Sequence, residues 1–152
     1  MQSIRIIEFP DCKMVSSGIG MFGQEKFDKF NEWFSALPPT MYPMDFLAWD
    51  GGEFGKEGGF HWLFKHEENK PIPPGYDIID FKGGLYAVST DVDKKTDVDT
   101  MNKTVDEFLE ANGLERDKSR LDLGHIITSQ LAGRILGYDQ MDYYTPIKQK
   151  RE

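Results

Sequence analysis

The spacing of apolar positions along this chain changes several times, and each change marks an element. Ile4-Arg5-Ile6-Ile7-Glu8-Phe9 is rich in β-branched residues and stops at Pro10-Asp11, so it reads as a strand. A second extended piece runs from Lys13 to Ser17 and ends at Gly18-Ile19-Gly20. Between Gln24 and Leu37 the apolar residues become Phe27, Phe30, Phe34 and Leu37, spaced three and four apart. That period predicts a helix with one buried stripe, closed by Pro38-Pro39. Met44 to Asp50 and Gly59 to Phe64 then predict the two strands of a hairpin, joined by the glycine-rich stretch 51–58. On the second strand Phe60, Trp62 and Phe64 share a face, because side chains alternate with period two. Three such rings either fill a core or line a pocket for something flat and apolar.

A polar, proline-rich connector over 67–75 separates this half from one that repeats its order. Tyr76-Asp77-Ile78-Ile79-Asp80-Phe81 echoes residues 4–9 at an offset of 72, and Ala87-Val88-Ser89-Thr90 echoes Met14-Val15-Ser16-Ser17 with one position inserted. A helix over 97–112 follows, with Val98, Met101, Val105, Phe108 and Leu109 on its apolar side, Thr96 or Asp99 as its cap and Gly113 at its end. Strands are expected at 121–128 and 141–148, with a short helix or irregular turn over 129–136. The chain thus reads as strand–helix–strand–strand twice, in pseudo-repeats 4–66 and 76–148 of one domain. The expected fold is α+β: duplicated β-α-β-β units forming one curved antiparallel sheet, two helices on one face and a ligand cleft on the other. Phe27, Phe30, Phe34, Val105, Phe108 and Leu109 are the expected core.

Composition narrows the function classes. The 152 residues carry a net charge of −8, which argues against a nucleic-acid surface, and 13% are aromatic, the one unusual figure. Cys12 is the only cysteine, and residues 1–5 do not begin a long apolar run, so a cytoplasmic protein is expected. No stretch has the length of a membrane span. Phosphate-cradle and nucleophile-elbow motifs are missing, and no histidine–cysteine spacing suits a metal, so neither metal nor cofactor is expected.

The repeated order, together with Tyr42-Pro43-Met44-Asp45-Phe46, Gly59-Phe60-His61-Trp62 and the closing stretch from Leu136 to Lys148, resembles the GyrI-like domain. That bacterial family is named for a DNA gyrase inhibitor and supplies effector-binding domains of AraC-type and MerR-type transcription regulators. The resemblance covers essentially the whole chain. It implies an SHS2-type duplication, and a cleft between the halves where stacked aromatics and a buried acid hold flat, hydrophobic, often cationic molecules, in the manner of multidrug-binding domains. Some members resemble hydrolases of strained cyclopropane rings. No residues remain here for a DNA-binding helix-turn-helix, so a stand-alone sensor-like domain is expected, with a homodimer as a further expectation.

The candidate ligand-binding residues are accordingly Trp49, Phe60, Trp62 and Phe64 as stacking rings, Tyr86 and Tyr144 as edges with hydroxyls, and His125 or Asp142 as polar anchor. Trp49 and Trp62 are expected to pair across the hairpin. The family's glutamate has no direct counterpart. Asp122, at a strand edge, and Asp142 are the acids on offer. Three readings follow: binding of a small hydrophobic or cationic molecule; hydrolysis by Asp142, Tyr144 and His125; and inhibition of a protein partner such as gyrase.

Overall fold

The structure is a computed structural model that describes residues 3–38, 40–42, 44–50 and 59–151, without the side chain of Asp50. The glycine-rich connection at 51–58 lies outside the described residues, as does Pro43 of the stretch 42–46. Nine strands and three helices occur among the described residues, and their strand pairings are antiparallel, so the fold class is α+β. None of the described helices is long and apolar enough to cross a membrane.

The chain forms two compact units, a central one of Asp11–Lys82 and a terminal one of Met1–Pro10 with Gly83–Glu152. The central unit contains β2 (Cys12–Gly20), α1 (Glu25–Ser35), β3 (Asp45–Asp50), β4 (Gly59–Lys65) and β5 (Asp77–Phe81). Its strands lie in the order β3-β4-β2-β5. The terminal unit contains β1 (Arg5–Phe9), β6 (Gly84–Val92), α2 (Val98–Ala111), β7 (Leu114–Arg116), β8 (Leu123–Ile126), α3 (Gln130–Leu136) and β9 (Gln140–Gln149). Here the order is β1-β6-β9-β8, with β7 also on β9.

The echo of residues 4–9 at 76–81 has a structural counterpart, whereas the echo of Met14–Ser17 at 87–90 is one residue out of register, because Ser16 and not Val15 answers to Val88. Arg5 faces Val88 and Asp77 faces Ser16, so the same offset of 72 relates both members of each pair. The leading strand of each half is found in the unit that the other half builds: β1 pairs with β6, and β5 with β2. On the other side of each sheet, Ala48 faces His61 where His125 faces Asp142. His125 therefore answers to Ala48.

Both expected helices form for the expected reason. In α1 the stripe buries Phe27 and Phe30, at 1% and 0% exposure. In α2 Val105 and Leu109 join Ile4, Ala87 and Ile147 in one cluster, with Phe108 packed against it. Asp97 caps α2, its side chain accepting from the Thr100 amide at 3.2 Å, in place of the expected Thr96 or Asp99. Gly113 follows the helix at φ +67°, as a C′ glycine should. α3 takes the helical alternative for 129–136: the Ser129 hydroxyl accepts from the Ala132 amide, and Gly137 at φ +81° closes it. β7 has no signal in the apolar pattern, since three residues are too few to show a period.

Phe30→Ala should lower stability by ~3–5 kcal/mol, the range for deleting a sealed ring from a core, as read from chemical denaturation. A loss below about 1 kcal/mol would mean that α1 does not depend on its aromatic stripe.

Candidate functional site

Strand alternation divides the eight candidate residues into two groups. Phe60, Trp62 and Phe64 lie on the face of the central sheet that carries α1. The Trp62 ring sits 5.6, 6.0 and 5.2 Å from those of Phe27, Phe30 and Phe34. Phe64 stacks on Phe34 at 5.6 Å and meets Trp33 edge-on at the same distance. Trp49 is in register with Phe60, whose ring is 4.7 Å away, while Leu47 faces Trp62. The expected Trp49–Trp62 pair is therefore replaced by Trp49–Phe60. The cause is the helix: its own phenylalanines need an apolar floor, and this face of β4 supplies it. The Trp62 indole finds its polar partner locally, donating to Asp45 Oδ2 at 3.2 Å. A crevice at the end of this layer, lined by Trp33, Leu37, Pro38, Phe64 and Ile72 among others, has room for about 40 Å³ of water-sized occupant. That is too small for a drug-sized molecule.

Tyr86, His125, Asp142 and Tyr144 are brought together in the terminal unit. Ala87 and Ile147 point to α2, so Tyr86 and Val88 on β6 and Asp142 and Tyr144 on β9 point the other way. Leu123 and His125 on β8 face Tyr144 and Asp142 and share that side. So do Arg5, Ile7 and Phe9 of β1, opposite Val88, Tyr86 and Gly84.

The face has an aromatic part and a polar part. Phe9 lies 5.2 Å from Tyr86 and 5.4 Å from Tyr144, and the two tyrosines meet edge-on at 6.0 Å. Arg120 caps this group, its guanidinium 4.7 Å over the Tyr86 ring. It is held by Asp117 through Nε at 2.9 Å and donates from Nη2 to the carbonyls of Leu85 and Ile147 at 2.8 and 2.9 Å. Only a glycine fits beneath it: a Cβ on Gly84 would come within 2.6 Å of Arg120 Nη1.

In the polar part Asp142 is buried, with 4% exposure. Arg5 Nη2 reaches its Oδ2 at 2.9 Å, and Thr90 Oγ1 donates to its Oδ1 at 2.5 Å. Arg5 Nη2 also lies 3.3 Å from Thr90 Oγ1, closing a three-membered ring of contacts. His125 Nδ1 is 3.4 Å from the Tyr144 hydroxyl. Burial, and then the charge of Asp142, push the Tyr144 phenol up to about 12. At neutral pH Tyr144 is thus a hydrogen-bond donor. Asp122, the other acid considered, is exposed just before β8.

Arg5, Phe9, Thr90 and Arg120 belong to this group without having been singled out from the sequence. Arg5 and Phe9 sit in an ordinary alternating strand, and only the pairing of β1 with β6 brings them to residues more than 75 positions away. Arg120 follows no period at all.

No family model and no curated protein sequence matches the chain. Among solved structures, a hydrolase from Listeria innocua is similar with a TM-score of 0.67 and 12% identity, covering 96% of this chain and 92% of that one. The EcmrR C-terminal domain gives a TM-score of 0.62 at 12% identity over 96% and 97%. In a complex of EcmrR with DNA, 97% of this chain matches 57% of that one, with a TM-score of 0.63 and 9% identity. The chain has the fold of these proteins. At such identities the likeness speaks to fold alone.

The position of Tyr144 has a consequence for alkaline stability. Its phenol titrates near 10 in the unfolded chain and about 12 in the folded one. Below pH 10 both states hold the proton and nothing changes. Between 10 and 12 only the unfolded state releases it, so stability falls as pH rises, by ~2–3 kcal/mol across that window. In denaturation series, Tyr144→Phe should lose less stability than the parent between these two pH values. Equal losses would show that Tyr144 is not the group responsible.

Proposed function

We propose that this chain is a GyrI-like binding module that holds a flat, hydrophobic small molecule against the helix-free face of its terminal unit. The single observation behind this reading is the buried polar content of that face. Asp142, His125 and the Tyr144 hydroxyl are sealed beside a stack of three rings, and burying such groups is costly where apolar residues would pack as well. A ring stack with a few convergent polar groups is the general composition of a small-molecule site. The fold shared with the EcmrR C-terminal domain, part of a DNA-binding regulator, is compatible with this reading.

Tyr86 and Tyr144 are only 1% and 5% exposed. A ligand reaches them by displacing Phe9, which belongs to a strand at the end of the sheet order and is itself half-buried. The incoming ring takes over the contacts that Phe9 makes, so little apolar area is returned to water. The phenol of Tyr144 donates to an acceptor on the ligand, and His125 sets the direction of that hydroxyl. Trp62 and Phe64 have a different part in this scheme: they hold α1 on the central sheet, and Phe60 and Trp49 extend the same layer beside them.

A second reading, hydrolysis of an electrophilic ligand, is favoured by the approach of Tyr144 to His125. Tyr144 would polarise a leaving group and His125 would take a proton from water. Asp142 is ill suited to position that water, because both its oxygens are engaged by Arg5 and Thr90. Binding is therefore the preferred reading, and analysis of the bound molecule for products separates the two.

Acridine, a flat aromatic dye, serves as probe. Tyr144→Ala should weaken its binding by ~1–3 kcal/mol, roughly ten- to hundredfold, in a fluorescence titration with folding checked by circular dichroism. Trp62→Ala should leave the affinity of the folded fraction unchanged. The opposite pattern would move the site to the α1 face.

A further inference from the structure

Resting on the site reading above, we propose that this face selects planar molecules bearing a hydrogen-bond acceptor or a carboxylate, and that Arg5 excludes lipophilic cations by occupying Asp142. A buried carboxylate beside aromatic rings would ordinarily attract a cation. In this chain the position is filled from within. Arg5 lies 2.9 Å from Oδ2 and Thr90 donates to Oδ1, so the charge of the carboxylate is already balanced by a guanidinium that an incoming cation would have to displace.

Arg5 reaches across an intervening strand to do this. It starts on β1, passes Thr90 on β6 and ends on β9, the order in which these strands lie. The internal repeat shows that the residue is particular to this unit. The position answering to Arg5 in the central unit holds Asp77, and the one answering to Asp142 holds His61. The signs are thus reordered between the two halves, whereas the apolar pattern around Arg5 is kept.

Two features make an acceptor the complementary group. The Arg5 side chain is 52% exposed, and a guanidinium has five N–H groups in a planar fork, of which only those on Nη2 face Asp142 and Thr90. Arg120 Nη1 is buried beside Tyr86 with no hydrogen-bond partner among the described residues, while its side chain is 5% exposed. A sealed N–H of a charged group left unpaired is costly, and an acceptor on a ligand stacked at Tyr86 would satisfy it. Asp117 and Asp142 balance the two arginines, so the face as a whole is neutral and offers donors more than acceptors.

The test compares three dyes with one ring system: acridine, the N-methylacridinium cation and an acridinecarboxylate. The parent protein should bind acridine and the carboxylate at least about tenfold more tightly than the cation, a modest effect for one close charge pair. Arg5→Gln should raise the affinity for N-methylacridinium by about tenfold or more and lower that for the carboxylate. Arg5→Lys, which keeps a cation on Asp142, should retain the parent order. Because Arg5→Gln leaves a buried carboxylate unpaired, the double variant Arg5→Gln/Asp142→Asn is measured alongside; it should bind acridine and N-methylacridinium alike. If the parent holds the cation as tightly as acridine, or if Arg5→Gln leaves the ratio unchanged, the selectivity proposal is overturned while the site stands. Failure of every dye to bind the parent would overturn both.

Discussion

A β-strand has two faces, and in each unit a helix claims one of them. Everything that distinguishes the candidate site follows from that constraint. Where α1 lies on the central sheet, Phe27, Phe30 and Phe34 require an apolar floor, and Trp62 and Phe64 provide it through ring contacts of 5.2 to 6.0 Å. Where α2 lies on the terminal sheet, Ala87 and Ile147 meet Val105 and Leu109. The residues left on the other side of β6, β8 and β9 are then Tyr86, His125, Asp142 and Tyr144. Choosing the helix-bearing face chooses the site by exclusion.

That second face is stabilised differently from the first. Its rings contact one another, but its polar groups are satisfied in a short chain from Arg5 through Thr90 to Asp142, and in the contact of His125 with Tyr144. An ion pair of this kind is weak evidence of stability, because bringing charges out of water offsets much of their attraction. Its interest lies in what removing one partner does. Without Arg5, Asp142 would be a buried carboxylate with Thr90 beside it and its charge unbalanced. Asp142 is thus covered by a residue on a short strand at the end of the sheet order, far from it in sequence.

The repeated strand pairing gives the two units matching registers and unequal chemistry. The offset of 72 holds for both strands of the β1–β6 and β2–β5 pairs, so backbone register has been kept. The side chains at matching positions have diverged: Asp77 for Arg5, His61 for Asp142, Ala48 for His125. In the central unit His61 has a serine beside it, with Ser16 Oγ 3.2 Å from Nδ1. The central unit has an aromatic helix layer. The terminal unit has the ring stack and the buried charges.

By itself the sequence determined most of the elements, because periodicity is local, but not the three-residue β7. The three- and four-residue spacing of Phe27, Phe30 and Phe34, the alternation in Gly59–Lys65 and the glycine at 113 each act within a few residues. It also determined that Tyr86, Tyr144, His125 and Asp142 are worth watching, and that Asp142 and Tyr144 share a face. It could not determine which face a helix would cover, since alternation gives two equivalent sides and the choice depends on long-range packing. So Trp49, Phe60, Trp62 and Phe64 read equally well as pocket or core, and only the tertiary structure showed that Trp62 and Phe64 meet the rings of α1. Nor could it supply Arg5, Phe9, Thr90 and Arg120. Their importance arises from strand pairing between distant segments, where register alone decides which charge meets which.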